Sequence, residues 1–111
     1  MDEFEKGESI GREITITASG IDDLDDFDTI EVSVYHWLLF RNAGTYSLAL
    51  GNLTKNDPTT LMKVFFDVPP SITNNIRRGK YRYQLSTTEA DGDYDNGIRV
   101  RTSRGWCFKL I

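Results

Sequence analysis

Alternation with a period of two runs through the apolar parts of this chain. Glu13-Ile14-Thr15-Ile16-Thr17-Ala18 and Ile30-Glu31-Val32-Ser33-Val34-Tyr35 switch between polar and apolar side chains and are rich in β-branched residues. Successive side chains of a strand point to opposite faces, so each segment can bury one face of a sheet and leave the other in water. Five further segments read as strands: Thr45 to Leu50, Leu61 to Val68, Lys80 to Ser86, Ile98 to Thr102 and Trp106 to Ile111. Turn signals separate them at Ser19-Gly20, Asn42-Ala43-Gly44, Asn56-Asp57-Pro58, Asp91-Gly92 and Asn96-Gly97, where Gly, Asn and Asp supply reversed backbone or local hydrogen bonds. No window predicts a long amphipathic helix. One helical turn is expected near Pro70 to Ile76, with Ser71 or Thr73 capping its first N–H groups and Gly79 ending it.

About seven short strands without crossover helices predict two antiparallel sheets packed face to face. The expectation is an all-β, immunoglobulin-like antiparallel β-sandwich of about seven strands, a single domain over residues 1–111. The cysteine pair that brackets a tryptophan in antibody domains is missing, so the likeness is to the architecture, and a partly open barrel fits the same pattern. Residues 97–111 read either as a hairpin turning at Ser103-Arg104-Gly105 or as one long strand bulged at Gly105. The expected core is Ile14, Ile16, Val32, Val34, Leu48, Val64, Phe66, Tyr81, Tyr83, Leu85, Val100 and Phe108.

Length and composition narrow the function. At 111 residues, 39% of them hydrophobic, the chain has enough apolar material for one core, and two domains are excluded. One cysteine cannot make an internal disulfide or a cysteine-based zinc site. No apolar run approaches the ~20 residues that cross a bilayer. The first residues, Met1-Asp2-Glu3-Phe4-Glu5-Lys6, are acidic where a secretory signal is basic and then apolar, so export is not expected. The net charge of −4 hides an asymmetry, since residues 1–31 carry 11 acidic and 2 basic side chains. Basic residues gather instead at Arg77 to Arg82 and Arg99 to Arg104. Nucleic acid would be attracted by these and repelled by Asp22 to Asp28, and the expectation is internal charge complementarity with no nucleic-acid or membrane partner.

The chemistry-bearing residues are few. His36 and Cys107 are the only histidine and cysteine, and a nucleophilic pair needs them within hydrogen-bond reach with a third orienting group. Cys107 alternates with Trp106 and Phe108 and reads as a small buried hydrophobe, so no catalytic residue is expected. Asp91-Gly92-Asp93-Tyr94-Asp95-Asn96-Gly97 spaces carboxylates as a calcium loop does, but glycine falls one place late and Thr102 stands where a bidentate glutamate belongs. A polar hairpin tip accounts for the same residues, and no metal or cofactor is expected. Trp37-Leu38-Leu39-Phe40-Arg41 follows a strand without alternating. These side chains either fill the end of the core under a loop or stay exposed as an interaction surface, for which Trp37, Leu38, Phe40 and Arg41 are the candidates. Tyr81 and Tyr83, flanking Arg82, share a strand face that either packs in the core or stacks a sugar or base. Asn52-Leu53-Thr54 matches a glycosylation acceptor by pattern alone.

Three stretches carry a resemblance. Phe4-Glu5-Lys6-Gly7-Glu8 leads into the first strand, Asp23-Leu24-Asp25-Asp26-Phe27-Asp28-Thr29-Ile30-Glu31-Val32-Ser33-Val34 is an acidic loop then a strand, and Ile76-Arg77-Arg78-Gly79-Lys80-Tyr81-Arg82-Tyr83-Gln84-Leu85 is a glycine turn then an aromatic strand. Their order resembles the small immunoglobulin-like N-terminal module of phage baseplate upper proteins and related prophage tail domains. The resemblance implies a virion structural component without catalysis, placed by contacts with other protein subunits or as a homo-oligomer, in the virion or the bacterial cytoplasm. A sandwich that binds glycans or calcium is the alternative.

Overall fold

The alternating segments pair into two sheets in the computed structural model, which describes residues 1–111. The strands are β1 (Glu3–Phe4), β2 (Ile10–Thr15), β3 (Thr29–His36), β4 (Asn42–Ser47), β5 (Leu53–Lys55), β6 (Lys63–Val68), β7 (Gly79–Ala90) and β8 (Ile98–Leu110), with one α-helical turn, α1 (Pro70–Thr73), and three short 3-10 turns. One sheet has the order β1-β8-β7-β3-β4 and the other β2-β6-β5. Every pairing is antiparallel except β1 with β8. In chain order β2 to β8 take the places of strands B, C, C′, D, E, F and G of an immunoglobulin-like sandwich.

The core lies between the sheets. Ile10, Ile14, Leu53, Val64, Phe66 and Val68 come from one side, and Ile30, Val32, Val34, Tyr46, Tyr81, Leu85, Phe108 and Leu110 from the other. Tyr46 stacks on Phe66 across the gap at 4.7 Å between centroids, and Tyr81 stacks on its cross-strand neighbour Phe108 at 4.9 Å. Such pairs add roughly 0.5–1.5 kcal/mol beyond the area they bury. The Tyr81 hydroxyl donates to the carbonyl of Arg77 at 2.6 Å. This closes the corner between β6 and β7 as the tyrosine corner does in immunoglobulin-like domains. The position two residues later, a cysteine in antibody domains, is Tyr83.

Several expectations change. The strands number eight: the very short β1 and β5, with too few residues to show a period, are added, and the expected segments Ile98 to Thr102 and Trp106 to Ile111 are joined into one. Residues 98–110 form one strand, and its irregularity falls at Trp106-Cys107, where the register moves from Tyr81 opposite Phe108 to Arg82 opposite Trp106. The extra residue reverses the facing of everything before it. Phe108 is therefore fully buried while Val100, expected in the core, is 61% exposed. Inside the sheet at that end the chain places Arg101, paired with Glu89 and donating to the carbonyl of Ser19 at 2.7 Å. Leu48 and Tyr83 are half-buried against the core and not in it. Leu48 begins a turn that ends at Gly51, cutting short the strand expected to reach Leu50. The cap expected of Ser71 or Thr73 is absent, since Pro69 precedes α1 without a side-chain bond. Thr73 is instead fully buried, accepting from Gly7 N–H at 3.2 Å and donating to the Glu8 carbonyl at 2.9 Å.

The acidic segment before β3 is partly structural. Asp23 accepts from Asp25 N–H at 3.0 Å and so caps a short turn that inserts the fully buried Leu24 between the sheets. Hydrogen bonding from Thr59 and from Asp25 N–H holds the Asp23 carboxyl below its ordinary range. Asp25 pairs with Lys55 at 2.6 Å, and Glu3 with Lys109 at 3.7 Å, so some of the acidic first third meets basic side chains of the rest.

Candidate functional site

At its C-terminal end β3 delivers His36 to the inside and the next residues to the surface. The His36 Nδ1 accepts from the N–H groups of Leu38 and Leu39, both at 3.2 Å, while Nε2 faces the Arg78 carbonyl at 3.3 Å. An accepting Nδ1 leaves the ring hydrogen on Nε2, which donates to that carbonyl. The ring also meets Tyr81 edge-on at 5.2 Å. Gly79 makes room for it: its φ is +133°, and a Cβ there would sit 2.5 Å from His36 Nε2. Phe40, at φ 56° in left-handed backbone, closes the turn by donating its N–H to the His36 carbonyl at 2.9 Å. One buried imidazole thus organises the tight turn Trp37 to Phe40.

That turn exposes large apolar side chains. Trp37, Leu38, Leu39 and Phe40 are all exposed, Phe40 by 76%. The Phe40 ring lies nearly parallel to Tyr35, 16° between planes and 6.3 Å between centroids. Across the outer face of the five-stranded sheet, Trp106 carries the guanidinium of Arg82 at 5.0 Å and the ammonium of Lys80 at 5.8 Å. Arg104 donates to Gln84 Oε1 at 3.3 Å. Tyr35, Trp37, Phe40, Arg82, Gln84 and Arg104 line a shallow groove of about 410 Å³. The Arg82 Nε is buried there without a hydrogen-bond partner.

Of the four surface candidates, the structure joins Trp37 and Phe40 in this groove. Arg41 is exposed but lines a smaller pocket of about 130 Å³ at the sheet's end with His36, Asn75 and Arg77, and Leu38, 59% exposed, lines neither. Tyr81 and Tyr83 turn inward while Arg82 turns out, so the tyrosine pair does not form a stacking surface with it. The partners that complete the groove, Arg82, Gln84 and Arg104, lie far along the chain. The alternation of Arg82 between two core-facing tyrosines is the signal that places it outside.

The remaining candidates have other partners. No hydrogen bond joins His36 to Cys107. Cys107 is buried between core and sheet edge, and burial pushes its thiol up to about 12, with Arg12 pulling the other way. A thiol so raised is a poor nucleophile at neutral pH. At the tip after β7, Asp91 accepts from Asp93 N–H at 3.0 Å and Tyr94 packs against Arg99 at 5.3 Å. No three acidic, histidine or cysteine groups converge anywhere in the chain. Millimolar calcium is accordingly expected to leave the melting temperature unchanged. A native-state site at 100 times its Kd would add about 2.7 kcal/mol, several degrees for a domain of this size. A rise of that size, removed by Asp93→Asn with Asp95→Asn, would make the tip a metal site.

Asn52 is occupied structurally. Its amide accepts from Ser47 N–H at 2.8 Å and donates to the Thr45 carbonyl at 3.0 Å, standing against β4 where another strand would pair. No helix is long and apolar enough to cross a membrane. No protein-family model matches the chain, and no curated protein matches it either.

Proposed function

We propose that the domain is a non-enzymatic structural or adaptor module that works by binding other protein subunits through the outer face of its larger sheet. The observation that carries this reading is the cluster of Tyr35, Trp106, Lys80, Arg82 and Arg104 on the outer face of the sheet with Trp37 and Phe40 of the adjoining turn. Tyr, Trp, Phe and Arg are the residues enriched at protein interfaces and at their energetic hot spots, and a rigid sheet presents them at little entropic cost. His36 supports the same reading, since its ring atoms are engaged in holding the turn. The resemblance of the three sequence stretches to the immunoglobulin-like module of phage baseplate upper proteins adds a setting, a phage or prophage tail.

A glycan-binding sandwich is the second reading, favoured by the same groove, where aromatic rings sit beside the polar side chains of Asn42 and Gln84. Affinity capture from a lysate of the source cells and a glycan array, run together on the native domain and on Trp37→Ala with Phe40→Ala, separate the two. The expected result is a protein subunit retained by the native domain and lost by the variant, with no glycan bound. Binding of a glycan that the same variant abolishes, with no protein retained, would overturn the adaptor reading.

A further inference from the structure

The two edges of the larger sheet are finished differently. On the β4 side the Asn52 amide occupies the backbone groups of Thr45 and Ser47. On the other side β1 covers only Lys109 and Leu110, so β8 has no outer neighbour from Ile98 to Trp106. The direction of the free groups follows from the pairing. Trp37 N–H donates to the Lys80 carbonyl and Asp28 N–H to that of Thr88, so even-numbered residues of β7 bond β3 and odd-numbered ones bond β8. Thr87 is opposite Arg101 and Leu85 opposite Ser103, which leaves the peptide groups of Ile98, Val100, Thr102 and Arg104 pointing outward, unpaired. A long open edge with apolar side chains is a template for another strand. Here the outer face of that edge carries Ile98, Val100 and Trp106, respectively 48%, 61% and 49% exposed.

We propose that this edge pairs with the same edge of a second copy of the chain, antiparallel about a two-fold axis at Thr102. The axis follows from self-complementarity. It sets Ile98 opposite the partner's Trp106 and Val100 opposite the partner's Arg104, joining the apolar side chains and the arginine stem across the strands. On the inner face it sets Arg101 opposite the partner's Ser103 and Arg99 opposite the partner's Gly105, so no two like charges stand directly opposite each other. Moving the axis to Arg101 would face that arginine with its own copy. Moving it to Ser103 would run Ile98 past the irregularity at Trp106-Cys107. The inward-pointing Arg101, a charge that often guards an edge, is already engaged by Glu89 and the Ser19 carbonyl and does not block the approach. The dimer joins the larger sheets of both copies into one continuous sheet, and its isologous contact closes without forming a filament.

Sedimentation velocity over micromolar to millimolar concentrations tests this on the whole chain, with substitutions at the exposed Val100 that leave the core untouched. Val100→Arg, placed opposite the partner's Arg104, is expected to weaken the dimer at least tenfold. Val100→Glu, which meets the same arginine with a carboxylate, is expected to keep it. Trp37→Ala with Phe40→Ala removes the two exposed rings of the outer-face turn and should leave dimerisation unchanged, so failure of the adaptor reading is distinguishable from failure of this one. Thr102→Cys should form a symmetric intermolecular disulfide under mild oxidation, since facing residues of paired strands have Cα atoms about 5.5 Å apart. A chain monomeric throughout, or a dimer indifferent to Val100→Arg, would overturn the proposal.

Discussion

Phe66→Ala is expected to cost about 3–5 kcal/mol of stability, measured by denaturant unfolding, because it deletes the side chain on which the two sheets meet. Phe66 lies on the central strand of the smaller sheet, opposite Arg12 on one side and Leu53 on the other, and is 1% exposed. Its ring is stacked on Tyr46 of the facing sheet, 29° between planes. Tyr46 is itself fixed by the bond from its hydroxyl to the Ala43 carbonyl at 3.3 Å, so it cannot swing freely into the space left behind. A cavity that the surroundings cannot close is the costly kind. The neighbouring Phe65 supplies the control, being on the outer face and 42% exposed. Phe65→Ala should cost about 1 kcal/mol or less. Equal losses at the two positions would mean that the inner and outer faces of β6 are assigned wrongly.

Raising the pH should destabilise the domain progressively, with Cys107 acting first. Its thiol has an ordinary value of 9.0 and is pushed to about 12 in the folded protein. Above pH 9 the unfolded chain therefore releases a proton that the folded one retains, and stability falls as pH rises. One such group gives a limiting slope of about 1.4 kcal/mol per pH unit. Below pH 9 both states are protonated and the contribution is complete. Tyr46 and Tyr81, also raised by burial from 10.0, add to the loss only at higher pH, which leaves the interval between 9 and 10 to the thiol. Urea midpoints across that interval should fall in the native protein and change little in Cys107→Ala. Identical slopes would show that the thiol does not sense burial.

How much of this was legible follows from which residues obey a local rule. Ile14, Val32, Val34, Val64, Phe66 and Leu85 alternate within unbroken strands, and their burial follows from period two alone. Leu24 and Phe27 are buried from an acidic loop, where their position depends on the Asp23 cap and on Lys55, thirty residues away from Asp25 along the chain. No period announces them. Val100 misleads because its apparent phase matches Phe108, and a single extra residue between them cancels that agreement. The exposed turn was half visible. The run Trp37 to Arg41 breaks alternation, which signals large side chains without a buried face. What it lacks is any hint that Arg82 and Arg104 share a groove with it, since that juxtaposition is made by the order of strands in the sheet.

The irregularity at Trp106-Cys107 makes β8 a strand with two opposite phases. Toward Leu110 its even positions face the core, and toward Ile98 its even positions face outward. Losing one residue there would restore a single phase over the whole strand, and one half would have to turn over: either Phe108 and Leu110 leave the core, or Arg99 and Arg101 go to the surface and Ile98 and Val100 go in. Substitutions within β8 alter one side chain at a time, whereas a change of length rewrites an entire face. Counting, more than chemistry, is what this strand must preserve, and the freedom to gain or lose residues is left to the tip between Asp91 and Gly97.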